Sequence, residues 1–226
     1  MIMKVIDTED GSKTIHIEDI NETYHSIHGA IQESMHVYIK NGFRYSIGGN
    51  PSKPLNILEV GLGTGLNVIL TVVESNKFRF PVKYTSLEPF PLPSLVLKQL
   101  NYNAFLSDQK KTKDAFKLIH SKIWGEETLI SNYLNFTKLQ VTIQEFDPQF
   151  NKYDLIYYDA FAPGKQPEIW HVDLFNKIFN AMNPGGILVT YCAQGQFKRD
   201  LKKIGFAVEV LTGPPGKKEM IRAIRN

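Results

Sequence analysis

The residues best suited to chemistry in this 226-residue chain gather at the ends of its apolar segments. Asn56 to Val60 runs into Gly61-Leu62-Gly63-Thr64-Gly65, then into a second apolar stretch. Glycines there permit a tight turn and a close approach of backbone to a ligand, and a helix that follows offers free N–H groups. The dinucleotide pattern G-x-G-x-x-G/A fits poorly, because the sixth position from Gly61 is Leu66. Glu88 closes the next apolar run, where a carboxylate can accept both hydroxyls of a ribose. Phe90, two residues on, either packs on a purine or belongs to the core. Farther along, Glu145 is preferred to Asp147 as an acceptor for an adenine amino group, since Asp147-Pro148 reads as a turn start. Asp159 ends Tyr153–Asp159, whereas Asp154 opens it, at the wrong end for chemistry.

The elements that must position these residues alternate. Strands are expected at Asn56–Gly61, Lys83–Glu88, Leu139–Phe146, Tyr153–Asp159, Gly186–Ala193, Phe206–Leu211 and Met220–Ile224. Helices are expected at Gly65–Ser75, Pro93–Asn101, Thr112–Trp124, Glu126–Leu134, Val172–Met182 and Gln196–Ile204. Apolar strands alternating with helices predict a seven-stranded, mostly parallel α/β sheet covered on both faces, with ligands at the carboxyl ends of its strands. Before it, Val5-Ile6 and Thr14–Ile17 flank a Gly11 turn as a hairpin, and Asn21 to Lys40 has helical spacing up to Asn41-Gly42. The breaker-rich Gly48–Pro54 divides an N-terminal extension, 1–54, packed on the core, from a main domain, 55–226.

Composition excludes several classes. Hydrophobic content of 42% and charged content of 22% suit a globular chain, and one cysteine, Cys192, makes no disulfide framework. Cys192 reads as a small core residue. The longest central apolar run, Val68–Val73, is far shorter than a bilayer requires, and acids occupy the N-terminus where a signal peptide is apolar. A cytoplasmic protein without a membrane partner is expected. His25, His28 and His36 lack a supporting metal-ligand pattern and read as solvated, so no metal is expected. From Gln196 onward, eight Lys/Arg face three acids, a net +5 on a chain of net +3. Such an end is either a solvated face or a dock for an anion such as nucleic acid.

The spacing Glu59-x-Gly61-x-Gly63-x-Gly65 resembles the first motif of class I S-adenosylmethionine-dependent methyltransferases, whose glycine loop accommodates the methionine part of the cofactor. On that reading Asp159 would hold an amine beside the cofactor methyl. Asp159-Ala160-Phe161-Ala162-Pro163-Gly164-Lys165-Gln166-Pro167-Glu168-Ile169-Trp170 resembles a narrower pattern, D-[AG]-F-A-P-x-K-x-P-x-x-W. It belongs to the methyltransferases of tRNA 5-methylaminomethyl-2-thiouridine synthesis. Thr8–Thr14, Tyr24–Ser34 and Gly213–Met220 are similar to further stretches of that family, while Gln144-Glu145, Gln166 and His171 depart from it.

The resemblance implies a Rossmann-like class I fold, S-adenosylmethionine as cofactor, and methylation of the primary amine of 5-aminomethyl-2-thiouridine at the tRNA wobble position. It implies Asp159 as the catalytic residue, with Glu59, Gly61, Gly63, Gly65 and Glu88 on the cofactor, where Phe90 and Glu145 would join them by their positions at the segment ends. Glu33, Lys165, Trp170, Lys202, Lys217 and Lys218 would face the substrate, the anticodon arm of tRNA. Trp170 would stack on a base or anchor its loop. A separate enzyme would supply the aminomethyl group, and no flavin is expected, because the chain stops after its last strand. Two other readings suit the same residues: a small-molecule amine methyl- or aminopropyltransferase on this fold, and a non-catalytic RNA-binding module.

Overall fold

The computed structural model describes residues 2–49 and 54–226. The chain opens with β1 (Met3–Asp7), β2 (Lys13–Ile17) and β3 (Glu22–Thr23), an antiparallel sheet whose hairpin turns at Gly11, φ +81°. A helical stretch follows in three parts, α1 (Ala30–Ser34), a π-helical segment (Met35–Arg44) and α2 (Tyr45–Gly48). The chain then runs through β4 (Leu55–Val60), α3 (Leu66–Phe78), β5 (Val82–Leu87), α4 (Ser94–Leu97), α5 (Gln109–Ser121), β6 (Thr128–Ser131) and β7 (Leu134–Leu139). It continues with β8 (Tyr153–Tyr158), α6 (Val172–Ala181), β9 (Met182–Thr190), α7 (Gly195–Ile204), β10 (Phe206–Thr212) and β11 (Glu219–Arg225).

Eight of these strands form one sheet in the order β10-β11-β9-β8-β4-β5-β7-β6. The five from β9 to β7 are parallel; β11 and β6 run antiparallel to their neighbours. Successive residues of β8 serve opposite faces. Leu155 and Tyr157 join the core beneath the N-terminal helix and α3, while Ile156 and Tyr158 join the core beneath α6 and α7. Both faces are therefore buried, and the crevice at the carboxyl ends of β4, β5 and β8 is where the strand order reverses.

Three expectations are corrected. The sheet has eight strands, not seven, because Glu126–Leu134 contains β6 rather than a helix. Thr128 and Ile130 are β-branched, and Asn132-Tyr133 turns the chain straight back along β7. The strand expected at Leu139–Phe146 ends at Leu139, and the remainder is turn. Its Val141, Ile143 and Phe146 owe their apolar character to packing on the core below.

The first helix begins at Ala30, not Asn21. Asn21 is left-handed at φ +45°, Glu22–Thr23 pair with β2, and Tyr24 donates its N–H to Ile15 O. Asp10 from the hairpin turn supplies the helix start, its Oδ2 accepting the Gln32 N–H at 3.0 Å. Nor does the helix stop at Asn41-Gly42. A Cβ at Gly42 would lie 3.0 Å from the Tyr157 ring, so glycine lets the helix lie close on the sheet. Arg44 then pins it to α3, with Nε and Nη2 on the two Glu74 oxygens at 2.6 and 2.9 Å. Of the breaker-rich segment, residues 50–53 lie outside the described residues. Among the described residues, no helix is long and apolar enough to cross a membrane.

Candidate active site

A cavity of about 960 Å³ opens at the carboxyl ends of β4, β5 and β8, roofed by residues of the N-terminal extension. Its floor is the glycine loop. Gly61 has φ +93°, and a Cβ there would stand 2.3 Å from the Asp159 carbonyl oxygen, so only glycine lets the β4 loop pass the end of β8. Gly61 and Leu62 both donate to Leu87 O at 3.1 Å, tying the loop to β5. Glu88 completes the tie: Oε2 accepts the Gly63 N–H at 2.8 Å and Oε1 the Phe90 N–H at 2.8 Å. Burial pushes the Glu88 carboxyl above its ordinary pKa.

Asp159 leaves β8 with its backbone N–H on Val60 O and its side chain on the cavity. The Tyr38 hydroxyl donates to Oδ1 and Asn67 Nδ2 to Oδ2, each at 2.7 Å. Desolvation by the surrounding protein raises its pKa from 3.8 to about 6, against the lowering effect of the Tyr38 bond. A carboxylate so placed is held in one orientation and is a base near neutral pH.

Most of the expected residues meet here. Gly61, Gly63, Glu88, Phe90, Glu145, Asp159, Glu33, Lys165 and Lys217 all line the one cavity. Phe90 is 69% exposed, which removes the core alternative. Glu145 lies on a turn rather than a strand, its Oε2 accepting the Thr142 N–H and hydroxyl. Lys165 donates to Ile20 O at 2.8 Å, joining its loop to the N-terminal extension.

Five residues do not reach the cavity, the exposed Lys218 among them. Glu59 is fully buried beneath it, accepting from Asn67 at 3.1 Å and Ser86 at 2.6 Å, with burial raising its pKa to about 8. It braces Asn67 from below. Gly65 caps α3 at φ +75°, beside His120. Trp170 anchors its loop: Nε1 donates to Phe161 O, and the ring packs on Tyr158 and Phe197 at 5.0 and 5.2 Å. Lys202 stands exposed on α7.

The basic end is more neutral than its count. Lys198 pairs with Glu219, Arg222 with Glu209 and Lys217 with Glu33, while Arg225 bonds to Asn151 and the Met182 carbonyl. Arg199, Lys202, Lys203 and Lys218 are left exposed. His25, expected in solvent, is buried between the Thr14 and Thr64 hydroxyls, and its pKa falls to about 4. Cys192 is buried, as a core residue should be.

Sequence reading missed Tyr38, Asn67, Tyr24 and Tyr191. Asn67 had a signal, as the one polar residue in Leu66–Leu70. The tyrosines had none, since an aromatic on an apolar face reads as core. Tyr24 lies against Gly63 and meets Phe161 edge-on at 5.1 Å; Tyr191 donates to Ala160 O at 2.7 Å.

Residues 110–226 match the model of a family described as S-adenosyl-L-methionine-dependent methyltransferase. The chain is 28% identical over 221 residues to the tRNA 5-methylaminomethyl-2-thiouridine biosynthesis bifunctional protein MnmC of Pseudoalteromonas atlantica, a match covering 91% of this chain and 31% of that protein. To the protein of the same name from Idiomarina loihiensis it is 29% identical, covering 89% of this chain and 35% of that one. It thus spans about a third of the length of these relatives. Among solved structures, MnmC2 from Aquifex aeolicus superposes with a TM-score of 0.80 at 24% identity, covering 100% of this chain and 70% of that one. Spermidine synthase from Thermotoga maritima superposes at 0.51 and 13% identity, covering 100% and 72%.

Proposed function

Because the chain belongs to the family of S-adenosyl-L-methionine-dependent methyltransferases, we propose that it methylates the primary amine of a 5-aminomethyl-(2-thio)uridine at the wobble position of tRNA. The residues at the cavity fit the cofactor by their chemistry. Glu88 has acceptor capacity for a ribose diol beyond the two N–H groups it holds, and Phe90 offers an exposed ring to a purine beside Val141 and Ile143. Leu66 and Asn67 bring the first turn of α3, with its free N–H groups, to the same wall. The volume lies at the upper end of the roughly 300–1,000 Å³ of ligand pockets, which suits two ligands side by side.

Bound S-adenosyl-L-methionine supplies a methyl group already activated by its sulfonium sulfur. The protein then has to align an amine and free its lone pair. Asp159 is the observation that carries the reading: a carboxylate at the cavity floor, oriented by Tyr38 and Asn67. Asp159 would take the proton whose loss frees the lone pair of the amine for the methyl group. The names of the relatives point to a tRNA nucleoside as the bearer of that amine. A wobble base lies in a single-stranded loop, where presenting it costs little unstacking. Lys202, Lys203 and Lys218 would hold phosphates of the anticodon arm, and a separate enzyme would make the amine.

Transfer of labelled methyl from S-adenosyl-L-methionine to bulk tRNA, taken from cells lacking this gene, tests the reading. Label is expected in tRNA and not in small diamines. Label in diamines alone would make the chain a small-molecule enzyme, and label in neither would leave an RNA-binding module.

A further inference from the structure

The cavity already contains a primary ammonium ion, that of Lys217. Its Nζ donates to Glu33 Oε1 and stands 3.8 Å from the centre of the Tyr191 ring. A carboxylate together with an aromatic face is a pair of contacts that binds alkylammonium groups. Both partners are held for the purpose. Glu33 is 5% exposed, and its other oxygen takes the Ser26 N–H at 2.7 Å. The Tyr191 hydroxyl is fixed on Ala160 O, one residue beyond Asp159. The loop delivering Lys217 is tightly closed, with the Gly213 N–H on Lys218 O and the Lys217 N–H on Pro214 O. Gly216, at φ +81° against the His28 ring, leaves no room for a Cβ and turns Lys217 inward while Lys218 stays outside.

We infer that Glu33 and Tyr191 form the docking site for the cationic primary amine of the substrate, and that Lys217 is a resident stand-in which the substrate ammonium displaces. This rests on the amine-methylation reading and adds to it where the amine sits before it loses its proton. Exchanging one ammonium for another leaves the charge of the cavity unchanged, so docking itself leaves no buried carboxylate unpaired. The displaced Lys217 has a flexible four-carbon stem and lies beside the exposed Lys218, where an RNA phosphate would receive it. Arrival of tRNA would then open the ammonium site as the amine reaches it. A purely structural ion pair, stapling the 213–218 loop to α1, would have neither property.

Calorimetry with propylammonium as the probe separates the two, and it does not depend on turnover. Lys217→Met vacates the site while keeping chain length. This variant is expected to bind propylammonium at least about tenfold more tightly than the wild type, and adding Glu33→Gln is expected to abolish the gain. With amine-bearing tRNA, Glu33→Gln alone should raise KM roughly tenfold or more and change kcat much less. No gain of propylammonium affinity in Lys217→Met, or an unchanged KM in Glu33→Gln, would overturn the inference. Melting curves of each variant check folding, and should Glu33→Gln not fold, the Lys217→Met arm decides alone. If propylammonium binds as expected but wild-type enzyme methylates no amine, the ammonium site stands and the amine-methylation reading falls.

Discussion

Asp159 carries the chemistry of this account because of what surrounds it. The protein around it raises its pKa to about 6, while Tyr38 and Asn67 keep it oriented. An acid raised in this way is a base only when ionised, so activity must climb as pH rises through the shifted value. Turnover is expected to show a limb near pH 6 that is absent from Asp159→Asn, and a pH–rate profile of both proteins checks it. The same substitution keeps the size of the side chain but removes its charge, so kcat should fall about 10²-fold or more with cofactor affinity little changed. On the other side of the cavity, Glu88→Ala removes an acceptor that holds Gly63 and faces the ribose position. Cofactor binding is expected to weaken by about 1.5–3 kcal/mol, readable by titration calorimetry. Glu88 and Asp159 were legible because an acid ending an apolar strand has few structural uses. Glu59, an acid inside β4 two residues before the glycine loop, looked alike on paper and is buried beneath Asn67 instead. Glu59 pairs with Ser86 and Tyr157, which stand two residues before Glu88 and Asp159, so all three acids point to one face, and depth below the strand ends decides which of them braces the floor and which meets the cavity.

At the scale of elements, the glycine loop depends on a close approach that no spacing rule displays. Gly61 passes within Cβ reach of the Asp159 carbonyl, so Gly61→Ala must displace β8 or the loop. Backbone strain of roughly 1–3 kcal/mol is expected. It should appear as a lower melting temperature together with loss of both cofactor binding and turnover, since one contact joins the two halves of the site. Four of the five parallel strands, β4, β5, β8 and β9, were readable from their apolar runs. The edge was not: β6 and β7 alternate, β7 buries Lys138 along with Leu134 and Phe136, and the cofactor-side turn after it imitates a strand with Val141, Ile143 and Phe146. The N-terminal helix was misplaced for a related reason. Tyr24 and Ile27 have helical spacing with Ile31, yet both line the cavity from an irregular segment pinned by β2.

Across the whole molecule, charge counts in the sequence overstate what a partner would meet. Of the basic end, Lys198, Arg222 and Lys217 are spent on internal ion pairs, leaving Arg199, Lys202, Lys203 and Lys218 outward. If these hold tRNA phosphates, Lys202→Glu with Lys218→Glu should weaken tRNA binding and flatten its log–log salt dependence by roughly one to two units. Filter binding across a salt series measures both, and cofactor affinity should not move, because neither side chain lines the cavity. The measurement that bears most directly on the central claim is nucleoside mass spectrometry of that tRNA after incubation with the protein and S-adenosyl-L-methionine. The predicted product is the 5-aminomethyl nucleoside carrying one added methyl on its side-chain nitrogen. A methyl found on ribose or on a ring position, or an aminomethyl nucleoside left unchanged, would contradict the account.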